Sequence, residues 1–297
     1  MERDKIKKFF KIFFVNVFLL VIIIVIAEVV SFHILHERDF NFHYIFIDDK
    51  FENKYKSDWY KNNFRPDEIV KNNKKSVILF GCCMTHGTGI PDEKQTLSHY
   101  FSKYMNRTVY NRGFPGWGLQ HMYFQLTDPD FPSLIKVEPE YIVYTIIHDH
   151  YRRLFSNSSA NEPYYLQYRI KDNKLVKQKE SFWNRSLFRY LMVSLYCDKN
   201  YDSKIVDFYI LESYKQAKKL WPNVKMVILN LDKTEGLQDS AVLKENNIQV
   251  IDVTKYSFNQ NIHELEDYWI DNCGHPSGKY WELVLPGVIK EIKQEKK

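Results

Sequence analysis

The chain has 297 residues, of which 44% are hydrophobic and 16% aromatic, so one large domain with an appendage is expected. The net charge of +5 is a mild excess, and there is no basic stripe interleaved with aromatic residues, which argues against nucleic-acid binding. The four cysteines match no zinc-ribbon or zinc-finger spacing, and neither a metal nor a cofactor is expected.

The N-terminus predicts a membrane anchor. A charged segment at residues 1–8 is followed by an apolar run at residues 9–32, which is long enough for a helix to cross the hydrocarbon core. Four basic residues precede the run, so the positive-inside rule places the N-terminus in the cytoplasm and the rest outside. The alternative is a cleaved signal peptide, but the run is long and no small-x-small cleavage site follows it. The bias toward Lys, Asn, Ile, Tyr and Phe is typical of AT-rich bacterial genomes.

Residues 33–75 are polar, aromatic and charged without a clear period, and we interpret them as a juxtamembrane stalk. From residue 76 to the C-terminus, short apolar runs typical of strands alternate with helical stretches. The predicted strands are Val77–Phe80, Thr108–Tyr110, Tyr141–Ile147, Lys225–Leu231 and Ile248–Val253; the predicted helices are Asp92–Met105, Leu119–Leu126, Lys204–Leu220, Ser240–Glu245 and one after Pro276.

Alternation of this kind predicts an α/β fold, a doubly wound parallel sheet between two helix layers. Residues 151–202 interrupt the rhythm and are rich in Tyr, Arg and Asn, so we interpret them as an insertion after the third strand. Insertions at the carboxyl ends of strands often shape a substrate pocket.

Four motifs follow the predicted strands or precede the last helix. They are GCCMTHGTG at residues 81–89, NRGFPGWG at 111–118, HDH at 148–150 and DNCGHP at 271–276. In an open α/β sheet, ligands bind beyond the carboxyl ends of the strands, so these motifs mark the candidate site. A Gly-flanked turn between a strand and a helix would present a side chain there, and the Gly-rich second motif can offer backbone N–H groups.

The content and order of these motifs resemble the SGNH (GDSL-type) hydrolase family. That family opens with Gly-Asp-Ser or Gly-Cys-Ser followed by x-Thr-x-Gly-x-Gly, continues with Asn-x-Gly-x-Pro-Gly-x-Gly, and closes with Asp-x-x-His-Pro. The resemblance runs from residue 77 to the C-terminus, with the insertion unmatched. It implies the flavodoxin-like three-layer sandwich of that family and its acyl-ester chemistry.

Carried over residue by residue, the resemblance implies a nucleophile at Cys83 and a general base at His275. The orienting acid of the family falls on Asn272, with Asp271 one position further away. Three side chains therefore differ from the family pattern. Cys83 replaces the family's Ser, His148 replaces the Asn of its third motif, Asn-Asp, and Asn272 replaces its Asp. A thiol ionises far more readily than a serine hydroxyl and needs less help from a base, so the changed set remains chemically coherent.

The same resemblance implies oxyanion donors at the backbone N–H groups of Cys83 and Gly113 and at the side chain of His148. Trp117 and His86 lie within the motifs and are expected to contact the substrate. Cys82 stands where the family also tolerates Cys, and we expect a structural role for it.

Two functions from different classes stay open. The first is an acyl-ester hydrolase or acyltransferase that acts on an envelope glycan or a lipid-linked acyl group. The second is a catalytically silent module that binds a glycan or a protein partner during envelope assembly. A nucleotide-binding protein is disfavoured, because the chain has neither a Walker-type nor a Rossmann glycine fingerprint.

Overall fold

The computed structural model describes residues 2–36, 64–155, 168–172, 174–177, 203–232, 236–257, 268–270 and 274–294. Helix α1, Glu2–His36, is apolar and exposed over Ile12–Ser31. By length and composition this stretch could cross a membrane, and a signal sequence would have the same properties.

The described residues contain seven strands in two sheets. They are β1 (Ser76–Gly81), β2 (Thr108–Gly113), β3 (Pro139–Ile146), β4 (Tyr168–Lys171), β5 (Lys174–Lys177), β6 (Lys225–Asn230) and β7 (Gln249–Asp252). Five of them make a parallel sheet in the order β2-β1-β3-β6-β7, while β4 and β5 form an antiparallel hairpin. This is the flavodoxin-like order, in which the chain reverses its direction of winding between β1 and β3. The predicted doubly wound α/β fold is confirmed.

Helices cover both faces of the sheet. They are α2 (Cys83–His86), α3 (Leu97–Met105), α4 (Leu119–Thr127), α5 (Asp149–Phe155), α6 (Ser203–Leu220), α7 (Ala241–Glu245) and α8 (Gly278–Lys293). Side chains alternate across a strand, so β1 contributes to two cores. Ile78 and Phe80 pack with α4 and α6, while Val77 and Leu79 pack with α3 and α8.

The five predicted strands of the sheet all form, and their ends differ from the prediction by up to three residues. The helix predicted over Asp92–Met105 is interrupted: a single 3₁₀ turn spans Glu93–Gln95, and α3 begins at Leu97. Thr96 causes the break, because its hydroxyl accepts a hydrogen bond from the His99 N–H and caps α3. The predicted insertion contains the end of α5 and the β4–β5 hairpin, and most of its remainder lies outside the described residues.

The described end of the predicted stalk packs on the domain. Glu68 forms an antiparallel bridge with Val109 of β2, with 2.9 Å hydrogen bonds in both directions. Asp67 accepts two hydrogen bonds, at 2.7 and 3.2 Å, from the buried guanidinium of Arg112. The packed domain therefore begins before residue 76, because residues 64–75 cover the outer edge of β2.

Candidate active site

The turn after β1 places Cys83 at the carboxyl edge of the sheet. Gly81 ends the strand with φ of 154°, and α2 begins two residues later at Cys83. A Cβ on Gly81 would lie 2.0 Å from the Thr85 hydroxyl oxygen and 2.2 Å from that of Thr145, so only glycine fits. Cys83 is partly exposed, whereas Cys82 is fully buried. As the first residue of α2, Cys83 has no hydrogen-bond acceptor within the helix for its N–H.

The end of β2 holds α2 from the other side. A Cβ on Gly113 would lie 2.5 Å from Thr85 Cβ and 2.9 Å from the His86 backbone nitrogen. The Asn111 side chain donates to the Thr85 carbonyl at 2.9 Å, and its Oδ1 accepts the Gly113 N–H at 3.0 Å. The N–H predicted as an oxyanion donor is therefore already engaged, and it would have to leave Asn111 to bind an oxyanion.

His148 follows β3 at the same edge of the sheet, and it is exposed. Its backbone N–H donates to a carboxylate oxygen of Asp232 at 2.5 Å. Its ring lies over that of Tyr151, with centroids 6.1 Å apart and an angle of 22° between the planes. These contacts fix the backbone and leave the imidazole at the surface.

The two predicted substrate-binding residues differ in their exposure. His86 is partly exposed, and its ring packs edge-to-face on Phe114 at 5.8 Å. Trp117 is only 2% exposed and stacks on the His121 ring at 5.0 Å with an angle of 8° between the planes. The indole of Trp117 is covered by the loop and by α4, and substrate contact by this residue stays a prediction.

His275 belongs to a short segment that lies against the loop after α2. Its carbonyl accepts the Ile270 N–H at 2.9 Å, and a Cβ on Gly89 would lie 2.9 Å from Ile270 Cγ2. Gly278, at the start of α8, approaches Gln95 so closely that an added Cβ would lie 2.6 Å from the Gln95 Cβ.

The segment that contains Ile270 and His275 thus borders the loop that follows α2, the helix that begins at Cys83. Asn272 and Asp271, predicted to orient His275, lie outside the described residues. Cys197 and Cys273 lie outside them as well.

Arg65 holds the loop that follows α2. Arg65 donates to three backbone carbonyls, those of His86 at 3.1 Å, Gly87 at 2.6 Å and Ile90 at 2.7 Å, and it also pairs with Glu93. Hydrogen bonds from a charged donor are among the stronger ones. Arg65 thereby fixes the loop against which the His275 segment lies. The sequence did not predict this role, because Arg65 lies in a stretch without periodicity.

A polar cluster that sequence reasoning missed lies beneath Cys83. Its members are the Cys82 thiol, His150 and Arg153 on α5, and Tyr144 on β3. The Tyr144 hydroxyl lies 2.8 Å from Nδ1 of His150, and both side chains are fully buried. Arg153 donates to the Trp117 carbonyl at 2.7 Å and pairs with Asp149 at 2.5 Å. The sequence signals were the adjacent cysteines and the second histidine of the HDH motif.

The two adjacent thiols change each other's pKa in opposite directions. The Cys83 thiol lowers the pKa of Cys82 well below its ordinary value, and His150 and Arg153 act in the same direction, against the effect of burial. The Cys82 thiol and burial both raise the pKa of Cys83. Burial opposes the charge of Arg153, but Asp149 and the two cysteines raise its pKa overall.

No protein-family model matches the chain, and a search of curated proteins also finds no match. Among solved structures, the chain is similar to a lipolytic G-D-S-L family protein from Veillonella parvula, at 14% identity and a TM-score of 0.45, over 74% of this chain and 99% of that chain. It is similar to a putative lipolytic G-D-S-L family protein from Desulfitobacterium hafniense at 14% and 0.45, over 73% and 99% of the chains. A catalytic mutant of an acetylxylan esterase from Geobacillus stearothermophilus gives 11% and 0.43, over 77% and 97%.

Similarity at these TM-scores and identities does not indicate which reaction the chain catalyses. The sheet order defines the flavodoxin-like α/β fold that the resemblance implied, and the first three motifs lie at its carboxyl edge. The predicted resemblance is confirmed at the level of the fold, while the roles of the individual site residues stay predictions.

Proposed function

We propose that this protein is an SGNH-like acyl-ester hydrolase or acyltransferase that uses Cys83 as its nucleophile. The observation that carries the proposal is a partly exposed thiol at the first residue of α2, at the carboxyl edge of the sheet between β1 and β3. Ligands of open α/β sheets bind at this point of reversal. A thiol held there by Gly81 and Gly113 faces any substrate that enters the edge.

The reaction has two steps. The sulfur of Cys83 bonds to the carbonyl carbon as its proton passes to His275, and the collapsing tetrahedral intermediate expels the alcohol, which takes that proton from His275. Water or a second alcohol then attacks the thioester while its proton passes to His275, and the Cys83 sulfur leaves and takes up that proton. Asn272 orients His275, which suffices for a thiol nucleophile, since cysteine proteases also use an amide for this purpose.

The N–H of Cys83 and the ring of His148 stabilise the oxyanion. The N–H of Gly113 joins them when it leaves Asn111. Removing one such donor typically costs about a hundred- to a thousandfold in rate, so the exchange at Gly113 affects the rate strongly.

The proposed substrate is an acylated glycan or a lipid-linked acyl group of the cell envelope. The motivation is α1, which in this proposal is an uncleaved anchor with the N-terminus in the cytoplasm and the domain outside. A reporter fused after Lys297 tests this. Activity of a reporter that works only in the cytoplasm would reject both the orientation and the envelope substrate.

The alternative, a silent module that binds a glycan or protein partner, is favoured by one observation. The N–H of Gly113 has an internal partner in Asn111, as expected of a site that has stopped reacting. The two functions differ in whether an acyl group is transferred to Cys83.

The deciding experiment uses the full-length reduced protein in detergent and an activated ester such as p-nitrophenyl acetate. The proposal expects a covalent acyl adduct at Cys83 by mass spectrometry, its absence in Cys83→Ala, and slower turnover in His275→Ala. His99→Ala is the matched control, because His99 is a partly exposed histidine on α3 whose imidazole pairs with Glu68. A Cys83→Ala variant that hydrolyses the ester as fast as the wild type would overturn the proposal.

A further inference from the structure

Residues 64–68, which we call the strap, contact both parts of the chain that carry the predicted backbone oxyanion donors. The strap precedes β1 and lies at the outer edge of β2, where Glu68 pairs with Val109. One donor is the N–H of Cys83 at the start of α2, and the other is the N–H of Gly113 at the end of β2. Different side chains of the strap reach the two sides.

Helix α2 depends on contacts from outside, because it is a single turn of four residues. Isolated helices shorter than about 12–15 residues are marginal in water. Gly87, with φ of 78°, ends the helix, and the last carbonyls of a helix have no partner within it. The position of Cys83 and the direction of its N–H therefore depend on what holds the far end of α2.

Arg65 of the strap holds that end. Its Nε donates to the His86 carbonyl at 3.1 Å, and its Nη2 donates to the carbonyls of Gly87 at 2.6 Å and Ile90 at 2.7 Å. Its Nη1 pairs with Glu93 at 2.5 Å, and the Arg65 side chain is only 15% exposed. A guanidinium presents five N–H groups in a rigid fork, so it fixes several acceptors at once, which the flexible ammonium of lysine does not.

Two other side chains of the strap hold the end of β2 and the loop after it. Asp67 accepts two hydrogen bonds from the buried guanidinium of Arg112, the residue before Gly113. The centre of the Phe64 ring lies 5.1 Å from Cζ of the same guanidinium, and the ring packs edge-to-face on Trp117 with centroids 5.7 Å apart. The chain on both sides of Gly113 is therefore held by the same short segment that holds the end of α2.

We propose that the strap sets the position of the two backbone oxyanion donors relative to each other, and that Arg65 is the positioning residue for Cys83. This inference rests on the proposed function of Cys83. Oxyanion donors act only when they point at the oxygen on which charge develops, and a displacement of about 1 Å can cost about a hundredfold in rate. Residues 64–68 of the predicted stalk thus act on the reaction without touching the substrate.

Arg65→Met tests this role in the full-length reduced protein in detergent, because methionine keeps an apolar stem but has no N–H group. The maximal rate of Cys83 acylation by p-nitrophenyl acetate should fall about a hundredfold. The ester concentration that gives half of that rate should change little, because the donors act mainly on the transition state. Arg65→Lys, which keeps the charge but loses the fork, should lie between the two. Arg107→Met is the matched control and should leave the rate unchanged, because Arg107 also joins a glutamate and a backbone carbonyl, but just before the start of β2.

Alkylation of Cys83 by iodoacetamide separates positioning from a general loss of structure. Alkylation joins the sulfur to a saturated carbon, so no oxyanion forms and the donors are not used. In Arg65→Met, alkylation of Cys83 followed by mass spectrometry should therefore stay near the wild-type rate while acylation falls. Millimolar ethylguanidinium should restore part of the acylation in Arg65→Ala, because it can bind in the space that the side chain leaves, and it should not change the rate of Arg107→Met.

The outcomes separate this inference from the proposed function. If the wild type acylates Cys83 and Arg65→Met acylates it equally fast, the role of Arg65 is overturned and the proposed function stays intact. Equal losses of acylation and alkylation in a folded Arg65→Met variant also overturn that role. If melting temperatures show that Arg65→Met is unfolded in the assay, a wild-type ratio of acylation to alkylation in Arg65→Lys overturns it instead. A wild type that alkylates Cys83 but never acylates it overturns both proposals.

Discussion

The N–H of Gly113 donates a 3.0 Å hydrogen bond to Oδ1 of Asn111, two residues earlier on the same strand. The amide nitrogen of the same side chain donates to the Thr85 carbonyl at 2.9 Å. One buried side chain thus joins the end of β2 to α2, using its acceptor on one side and its donor on the other. The arrangement requires an amide, because a carboxylate has no donor.

Asn111→Asp is therefore expected to destabilise the domain although it barely changes the side-chain shape. The carboxylate would still accept from Gly113, but it would place an oxygen against the Thr85 carbonyl. Leaving a buried group unpaired costs about 1–3 kcal/mol, and more for a charged one. A drop in melting temperature relative to Asn246→Asp, an exposed asparagine after α7, checks this. Equal melting temperatures of the two variants would contradict it.

The glycines around Cys83 give a graded prediction. Gly81→Ala introduces both a clash with two hydroxyl groups and an unfavourable φ. Gly113→Ala introduces a clash alone, and Gly236→Ala introduces only an unfavourable φ of 79°, in open space. Overpacking costs roughly 1–3 kcal/mol and a strained residue a similar amount. We expect the melting temperature to fall most in Gly81→Ala and least in Gly236→Ala. The same order should hold for the loss of Cys83 reactivity, except that Gly236→Ala should leave it unchanged.

The sulfur pair predicts how stability depends on pH. Between the lowered pKa of Cys82 and the ordinary thiol pKa of about 8.5, the unfolded chain holds both protons and the folded chain one, so stability rises with pH. Above about 8.5 the unfolded chain has released both protons, while the raised pKa of Cys83 keeps one in the folded chain, so stability falls. Each slope amounts to about 1.4 kcal/mol per pH unit for one proton.

The contribution of the pair therefore peaks near the ordinary thiol pKa. It is measured as the difference in melting temperature between the wild type and the Cys82→Ala, Cys83→Ala double variant across pH. Other titrating groups are common to both proteins and largely cancel. A difference that rises steadily with pH would contradict the raised pKa of Cys83.

The sequence predicted the sheet well because its strands are apolar on both faces and are separated by clear helical stretches. It also predicted that the Gly-flanked turn after β1 presents Cys83 at the edge of the sheet, although α2 was not among the predicted helices. Short motifs of this kind encode local backbone geometry, and local geometry is what a sequence pattern can reveal.

The surroundings of Cys83 could not be predicted in the same way. His150 reaches the Tyr144 hydroxyl only because α5 packs on β3, which depends on how the two elements come together in the fold. Trp117 was expected to contact the substrate because it lies in a motif, but stacking on His121 buries it. Arg65 lies in a segment without periodicity, so no sequence pattern predicted its three hydrogen bonds to the loop carbonyls.

Cys83→Ser is the substitution that best separates this site from the serine enzymes that it resembles. Serine is close to cysteine in volume, so the turn and α2 should accept it with little change in melting temperature. A hydroxyl is far less acidic than a thiol and needs a stronger base to become a nucleophile. The proposed supports here are His275 and Asn272, whereas the histidine that activates a serine nucleophile is oriented by a carboxylate.

The serine variant should therefore lose about a hundredfold or more in the rate of acylation by p-nitrophenyl acetate, although the family uses serine at this position. The rate should be measured beside Cys83→Ala, which sets the background, and Ser133→Cys, an exposed position between α4 and β3 that tests whether an added thiol alone reacts. If Cys83→Ser acylates as fast as the wild type, the site supplies full base assistance to a hydroxyl, and the thiol is exchangeable.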